Sequence, residues 1–150
     1  MTSLRPGRPE DAEVLASIHR RSRAAGMPWL AVVHDEDETR SWMRDVVLAH
    51  LRVLVAERNG RPVGFAAVSG DWLEQLYVAP EAIGTGVGRS LLDAVKADHP
   101  EGLSLYVFAE NARARRFYEA AGFALVAQSD GRRNEEREPD CTYRWAGAST

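Results

Sequence analysis

The sequence predicts an α/β fold in which a mixed, mostly antiparallel β-sheet is flanked by helices. Three observations indicate this. The chain has 150 residues, 45% of them hydrophobic, which suits one domain with one core. A hairpin signal, Asn59-Gly60, lies between two segments rich in β-forming residues. Beyond it, helical and strand patterns alternate, as they do when helices cover a sheet. We therefore expect a single domain over residues 1–150.

The first half of the chain predicts a short strand near Leu4, then two helices, then a β-meander. Asp11 begins the first helical pattern, and Gly26-Met27-Pro28 ends it. Four acidic residues at 35–38 indicate the start of the second helix, because negative charge is favoured at a helix N-terminus. The strands of the meander are predicted at residues 51–57, 63–68 and 72–78.

The second half predicts alternating helices and strands. An amphipathic helix is expected at 87–97, a strand at 103–108 and a helix at 111–121 that Gly122 ends. Two last strands are expected at 123–126 and 141–145. The predicted order is β-α-α-β-β-β-α-β-α-β-β, a layered α/β domain.

Composition excludes several function classes. A net charge of -3 argues against a nucleic-acid partner, and no apolar run is long enough to span a membrane. Residues 1–10 lack the apolar stretch of a secretory signal. Cys141 is the one cysteine, so neither an internal disulfide nor a thiolate metal cluster can form. We expect a cytoplasmic protein without a metal site.

A glycine-rich turn follows the third strand of the meander and opens a helix. Gly84, Gly86 and Gly88 let the backbone approach a ligand, and the free N–H groups of a helix start favour a phosphate. No Lys-Ser/Thr follows, so this is not a Walker A loop, and Leu91 replaces the third glycine of a dinucleotide fingerprint. The alternative is a tight strand–helix turn that binds nothing.

A second informative segment is the helix after the fourth β-rich segment. Asn111, Arg115 and Tyr118 lie at i, i+4 and i+7, so they are expected on one helix face. The phenol of Tyr118 can donate a proton. The alternative is ordinary core packing beside Phe117.

These segments together resemble the GCN5-related N-acetyltransferase (GNAT) family. The matching pieces are LYVAP, the G-x-G-x-G turn, RSLL and NARARRFYEAAGF, in that order and spacing, and the resemblance is strong from about residue 51 to residue 126. It implies the acyl-CoA N-acyltransferase fold, with acetyl-CoA as co-substrate. It also implies direct transfer of the acetyl group to an amine in a ternary complex.

The resemblance also implies which residues hold acetyl-CoA. It places a bulge around Leu76, Tyr77 and Val78, with the N–H of Val78 directed at the thioester oxygen. It places the pyrophosphate on the N–H groups between Gly84 and Arg89. The implied cofactor-binding residues are Leu76, Tyr77, Val78, Ile83, Gly84, Thr85, Gly86, Val87, Gly88, Arg89, Asn111 and Tyr118. At Ile83 the family prefers Gln or Arg, so backbone donors are expected there.

Two residues are the candidate catalytic groups. Tyr118 matches the family's tyrosine that protonates the leaving sulfur. Glu74 is the candidate base, because strand alternation would put it on one face with Trp72, Leu76 and Val78. The alternative for Glu74 is a surface carboxylate, and Asp71 is a weaker candidate.

The acceptor is expected to be a small-molecule amine. The alternatives are a protein N-terminal or lysine acetyltransferase, and a non-catalytic acetyl-CoA-binding regulatory module. His34 follows a loop that would border the acceptor pocket, and Glu135 or Glu136 could attract a cationic amine or form a solvated hairpin tip. Exposed strand edges near the C-terminus suggest a homodimer.

Overall fold

The structure, a computed structural model, describes residues 1–148. The strands are β1 Ser3–Pro6, β2 Arg52–Arg58, β3 Arg61–Ser69, β4 Trp72–Val78, β5 Leu103–Phe108, β6 Ala124–Ser129 and β7 Asp140–Trp145. The helices are α1 Ala12–Gly26, α2 Glu36–Trp42, α3 Leu48–His50, α4 Val87–Ala97 and α5 Ala112–Ala120. The helices and strands occur in the predicted order, except that a π-helical turn divides the second predicted helix into α2 and a short α3.

The seven strands form one sheet in the order β1-β2-β3-β4-β5-β7-β6. Every neighbouring pair is antiparallel except β4 and β5, which are parallel. The predicted mixed, mostly antiparallel sheet flanked by helices is thereby confirmed. The parallel step in the middle of the sheet has a functional consequence, because it is where the ladder opens.

Each face of the sheet is covered by helices. On one face, α4 contributes Leu91 and Leu92 to a core that includes Leu105 of β5 and Tyr143 of β7. On the other face, α1 and the π-helical turn Met43–Val47 between α2 and α3 pack against β2 and β3. The apolar residues of α1 and α4 recur at helical spacing, so each helix buries one stripe.

Local sequence signals fix the turns and helix ends. Asn59 and Gly60 both have positive φ, as a type I′ hairpin turn requires, and they join β2 to β3. Asp35 caps α2 by accepting a hydrogen bond from the backbone of Glu38, whose side chain accepts one in return. Gly122, with φ 95°, ends the helical segment after α5 as predicted.

The bulge in β4 lies at Glu74, so its predicted place around Leu76, Tyr77 and Val78 is wrong. Gln75 pairs with Ala67 of β3 and Leu73 with Val68, which leaves Glu74 as the extra residue. The bulge also shifts the alternation of side chains. Leu73 and Leu76 contact the same core, and Trp72 instead stacks on Tyr106 of β5. The expected common face of Glu74, Trp72 and Leu76 is therefore wrong.

β6 is the last strand of the sheet, and its residues are exposed. The homodimer suggested by such edges stays a prediction. Across residues 1–148, none of the helices has the length and apolar character needed to cross a bilayer.

Candidate active site

The ladder between β4 and β5 opens at the bulge. Only Trp72–Ser104 and Leu73–Leu105 are paired across these strands, and both pairs lie at the strand beginnings. Beyond Leu73 the strands diverge. The gap forms a cavity of about 340 Å³ between β4, β5 and α5. Its lining includes Leu73, Glu74, Leu76, Tyr77, Leu105, Val107, Phe108, Asn111, Ala114 and Tyr118. We call this cavity the β4–β5 cleft.

The cleft exposes backbone donors of β4. The N–H of Ala79 donates to the carbonyl of Val63 on β3 at 2.8 Å. Because successive N–H groups of a strand point to opposite sides, the N–H of Val78 points away from β3, toward the cleft. An amide there can donate to a carbonyl oxygen that lies in the gap.

The glycine turn lies between β4 and α4. Gly84 and Gly86 have φ of 79° and 91°, a backbone conformation that residues with a Cβ rarely adopt. Gly86 is the N-cap of α4, so the first N–H groups of that helix have no helical acceptor. The guanidinium of Arg58 donates to the carbonyl of Thr85 at 2.8 Å and holds the turn in place. The turn thus presents amide donors at the positive end of a helix dipole, as an anion site does.

The candidate cofactor residues fall into two groups. Leu76, Tyr77, Asn111 and Tyr118 line the cleft together. The remaining candidates, apart from Val78, form the turn and the first turn of α4: Ile83, Gly84, Thr85, Gly86, Val87, Gly88 and Arg89. The side chain of Val87 is buried in the core, and that of Arg89 pairs with Asp93 at 3.4 Å. In this second group the backbone of the glycine turn and the exposed side chain of Arg89 are available to a ligand.

The helix face expected to carry Asn111, Arg115 and Tyr118 is divided in the structure. Asn111 caps α5, and it lines the cleft with Tyr118. Arg115 turns away and donates to the hydroxyl of Tyr143 at 2.9 Å. That hydroxyl in turn donates to Glu119 at 2.6 Å. Arg115 and Glu119 therefore fasten α5 to β7, which holds the cleft wall in place.

Tyr118 is buried in the cleft wall between Phe117 and Phe123. Burial raises the pKa of its phenol well above the ordinary value, and the nearby Tyr77 raises it further. The hydroxyl therefore stays protonated at neutral pH. A proton is therefore present on the cleft wall, where a general acid would need one.

Glu74 lies where the cleft meets a second cavity of about 950 Å³. Its side chain is exposed, and within residues 1–148 it forms no salt bridge. The two cavities share Met27, Glu74, Tyr77, Tyr106 and Phe108. A carboxylate at this junction can reach a group that enters from either side.

The larger cavity, here called the acceptor cavity, is bounded by α1, α2, the loop between them and the loop between β6 and β7. Four glutamates line it: Glu38, Glu74, Glu135 and Glu136. Arg20 and Arg23 are the arginines in the lining. Carboxylates therefore outnumber arginines, which favours an amine that arrives as a cation.

Two ion pairs cross the acceptor cavity. The guanidinium of Arg23 on α1 lies 3.3 Å from the carboxylate of Glu136. The imidazole of His34 lies 2.9 Å from Glu135 and 3.5 Å from Glu38. Hydrogen bonds to these two carboxylates raise the pKa of His34. The sequence pointed to His34, Glu135 and Glu136 as residues near the acceptor, and the structure brings all three together.

Several lining residues were missed by the sequence analysis. Arg23 is one turn of α1 from His19, and neither gives a signal of its own in the sequence. Phe108 ends β5, and Tyr106 lies two residues before it on the same strand. Within residues 1–148, no group of three or more His, Cys, Asp or Glu side chains is arranged to hold a metal ion.

Comparison with known proteins identifies the family of the chain. Residues 49–125 match the family described as "Acetyltransferase (GNAT) domain". The chain is 35% identical to peptidyl-lysine N-acetyltransferase YjaB of Escherichia coli, over 85% of this chain and 86% of that protein. It is 33% identical to phosphinothricin N-acetyltransferase of Alcaligenes faecalis, over 60% of this chain and 51% of that protein.

A solved structure supports the same assignment. The solution structure of apo-form YjaB from Escherichia coli superposes with a TM-score of 0.82 at 30% identity, covering 99% of both chains. Acetyltransferases of this family use acetyl-CoA as co-substrate. The chain belongs to the GNAT family of acetyltransferases.

Proposed function

We propose that the chain transfers an acetyl group directly from acetyl-CoA in the β4–β5 cleft to a primary amine in the acceptor cavity. The observation that carries this proposal is the position of Glu74 in the lining of both cavities. A group at that junction touches both reactants at once, so no covalent enzyme intermediate is needed.

Glu74 acts as the base. An alkyl ammonium has a pKa near 10, so at neutral pH it must lose a proton before it attacks. The carboxylate of Glu74 accepts that proton, directly or through one water. The aromatic rings of Tyr77, Tyr106 and Phe108 line the junction beside Glu74.

The backbone N–H of Val78 and the phenol of Tyr118 act on the thioester. The N–H of Val78 donates to the thioester oxygen, where negative charge develops as the amine attacks. The hydroxyl of Tyr118 then gives its proton to the leaving sulfur. The amides of the glycine turn hold the diphosphate, and Asn111 borders the cleft.

The acceptor we propose is a lysine side chain of a peptide or protein. The 35% identical relative carries the name of a peptidyl-lysine N-acetyltransferase, which supports this choice. A small-molecule amine is the second candidate, favoured by the relative named for phosphinothricin.

One assay separates the two candidates. The protein and acetyl-CoA are incubated with a peptide that has one lysine and a blocked N-terminus, and in parallel with a panel of free small amines. We expect acetyl-peptide, detected by mass spectrometry, at a kcat/KM above that of every free amine. An unmodified peptide beside a rapidly acetylated free amine would overturn the lysine proposal.

A further inference from the structure

Lys96, in the last turn of α4, is the one lysine of the sequence. Its side chain is partly buried, and its ammonium donates to the carbonyl of Ala121 at 2.7 Å. Ala121 is the C-cap residue of α5. Carbonyl groups at the end of a helix lack a helical donor, and the helix dipole favours a positive charge there. Lys96 therefore caps the C-terminal end of α5 from a neighbouring helix.

Two aromatic rings surround the same ammonium. The Nζ of Lys96 lies 4.6 Å from the ring centre of Trp145 on β7 and 6.0 Å from that of Phe123. At these distances a cation is attracted to the face of an aromatic ring. The charge of Lys96 thus joins three parts of the fold at one point: α4, the turn that follows α5, and β7.

The turn that Lys96 contacts is connected directly to Tyr118. The carbonyl of Tyr118 accepts hydrogen bonds from the N–H groups of Ala121 and Phe123, each at 3.0 Å. The ring of Phe123 packs edge to face against the ring of Tyr118, with the ring centres 5.6 Å apart. A shift of this turn therefore moves both the backbone and the ring of Tyr118.

The contacts of Lys96 are separate from those that fasten α5 to β7. Arg115 and Glu119 both hydrogen-bond to the hydroxyl of Tyr143, and neither contact involves the end of the helix. Loss of the Lys96 charge leaves these two hydrogen bonds in place. We therefore expect α5 to stay on the sheet without this charge, while the position of Tyr118 becomes less precise.

We propose that Lys96 is a positioning residue for the reaction: its charge fixes the end of α5 and thereby directs the phenol of Tyr118 into the β4–β5 cleft. Lys96 itself does not line the cleft, so it acts through Tyr118. This inference rests on the proposed role of Tyr118 as the proton donor. A displacement of about 1 Å in a reacting group can slow a reaction up to about 100-fold.

The test is a double-mutant cycle in kcat, with the acceptor that is acetylated faster in the assay above. Lys96→Met removes the charge and keeps a long unbranched side chain. We expect a kcat about tenfold below that of the wild type, and an unchanged affinity for coenzyme A by calorimetry. In protein that already carries Tyr118→Phe, Lys96→Met should change kcat by less than about twofold, because no phenol remains to be misplaced.

Two further variants complete the design. Lys96→Arg keeps a cation that can donate to the carbonyl of Ala121 and lie over Trp145, so we expect it to recover most of the lost kcat. Arg52→Gln is the matched control. Arg52 pairs with Asp98 at 2.9 Å, directly after α4, in a contact that is exposed to water. This variant should have the kcat of the wild type.

The outcomes separate the two proposals. A wild-type kcat in Lys96→Met would overturn the role of Lys96. An equal fall of kcat with and without the Tyr118 hydroxyl, or a weakened affinity for coenzyme A, would show a general structural effect and would also overturn it. A wild-type kcat in Tyr118→Phe would instead contradict the proposed proton donor, and with it the residue that positions it.

Discussion

The imidazole ring of His19 lies 4.7 Å from the ring of Tyr77, edge to face, with Trp42 at 5.2 Å on another side. Burial, and secondarily the charges of Arg23 and Arg20, lower the pKa of His19 to about 3. Between about pH 3 and pH 6.5 the folded protein therefore keeps neutral a histidine that would be charged in the unfolded chain. The contact between His19 and Tyr77 thus joins α1 to β4 at the lining of the acceptor cavity without adding a positive charge.

This burial predicts a dependence of stability on pH. In the unfolded chain His19 binds a proton near pH 6.5, whereas the folded pKa is about 3. Its contribution to stability is therefore intact above pH 6.5 and is lost as the pH falls below that value, by up to about 1.4 kcal/mol per pH unit. The free energy of unfolding, measured in urea at several pH values, should fall less steeply with decreasing pH in His19→Leu than in the wild type. An equal dependence of the unfolding free energy on pH in wild type and variant would show that His19 does not contribute to it.

Tyr118→Phe tests the proton donor. The variant keeps the ring packing against Phe117 and Phe123 and loses only the hydroxyl. We expect unchanged affinity for coenzyme A by calorimetry, and a kcat lower by about 100-fold. Because burial holds the pKa of Tyr118 far above neutrality, the ratio of wild-type to variant kcat should not vary between pH 6 and pH 9. A variant with wild-type kcat would exclude the phenol from the reaction.

Glu74→Gln tests the base. We expect kcat/KM for the amine to fall by about 100-fold near neutral pH. The deficit should shrink as the pH approaches 10, because the amine then loses its proton to solvent. Asp71→Asn is the control, since Asp71 precedes the same strand but pairs with Arg144 at 2.9 Å. An equal deficit in both variants, or a deficit that does not change with pH, would contradict the assignment.

His34 provides a second pH-dependent contact. Hydrogen bonds to Glu135 and Glu38 raise its pKa above the ordinary 6.5. A raised pKa means that its stabilising contact is fully present below pH 6.5 and is lost as the pH rises through the folded pKa. We expect an NMR titration of the His34 ring to give a value above 6.5, and Glu135→Gln to lower it. A wild-type value at or below 6.5 would exclude the contact in solution.

The order of elements could be predicted because each end has a local cause. β4 was predicted at its observed bounds, since a Gly70-Asp71 turn precedes it and Pro80 follows. α4 begins after the glycine turn and was also predicted at its observed bounds. Capping residues and turn glycines act over a few positions, so the ends they determine can be predicted from neighbouring residues alone.

The place of the bulge could not be predicted in the same way. A bulge inserts one residue against the partner strand, and no residue type is required at Glu74. The contact between Arg23 and Glu136 could not be predicted for another reason, because the two residues are 113 positions apart in the sequence. Tyr118 and the glycine turn were found because their neighbours in the sequence form a recognisable motif. The roles of these residues stay predictions.

The sparse pairing of β4 with β5 divides the sheet into two half-sheets joined by a short seam. Trp72–Ser104 and Leu73–Leu105 are the rungs of that seam. A co-substrate bound along the open edge of β4 adds hydrogen bonds across the seam. Binding should therefore make both half-sheets unfold together at a higher temperature. Release of coenzyme A then has to break those hydrogen bonds, and this step can limit the rate of turnover.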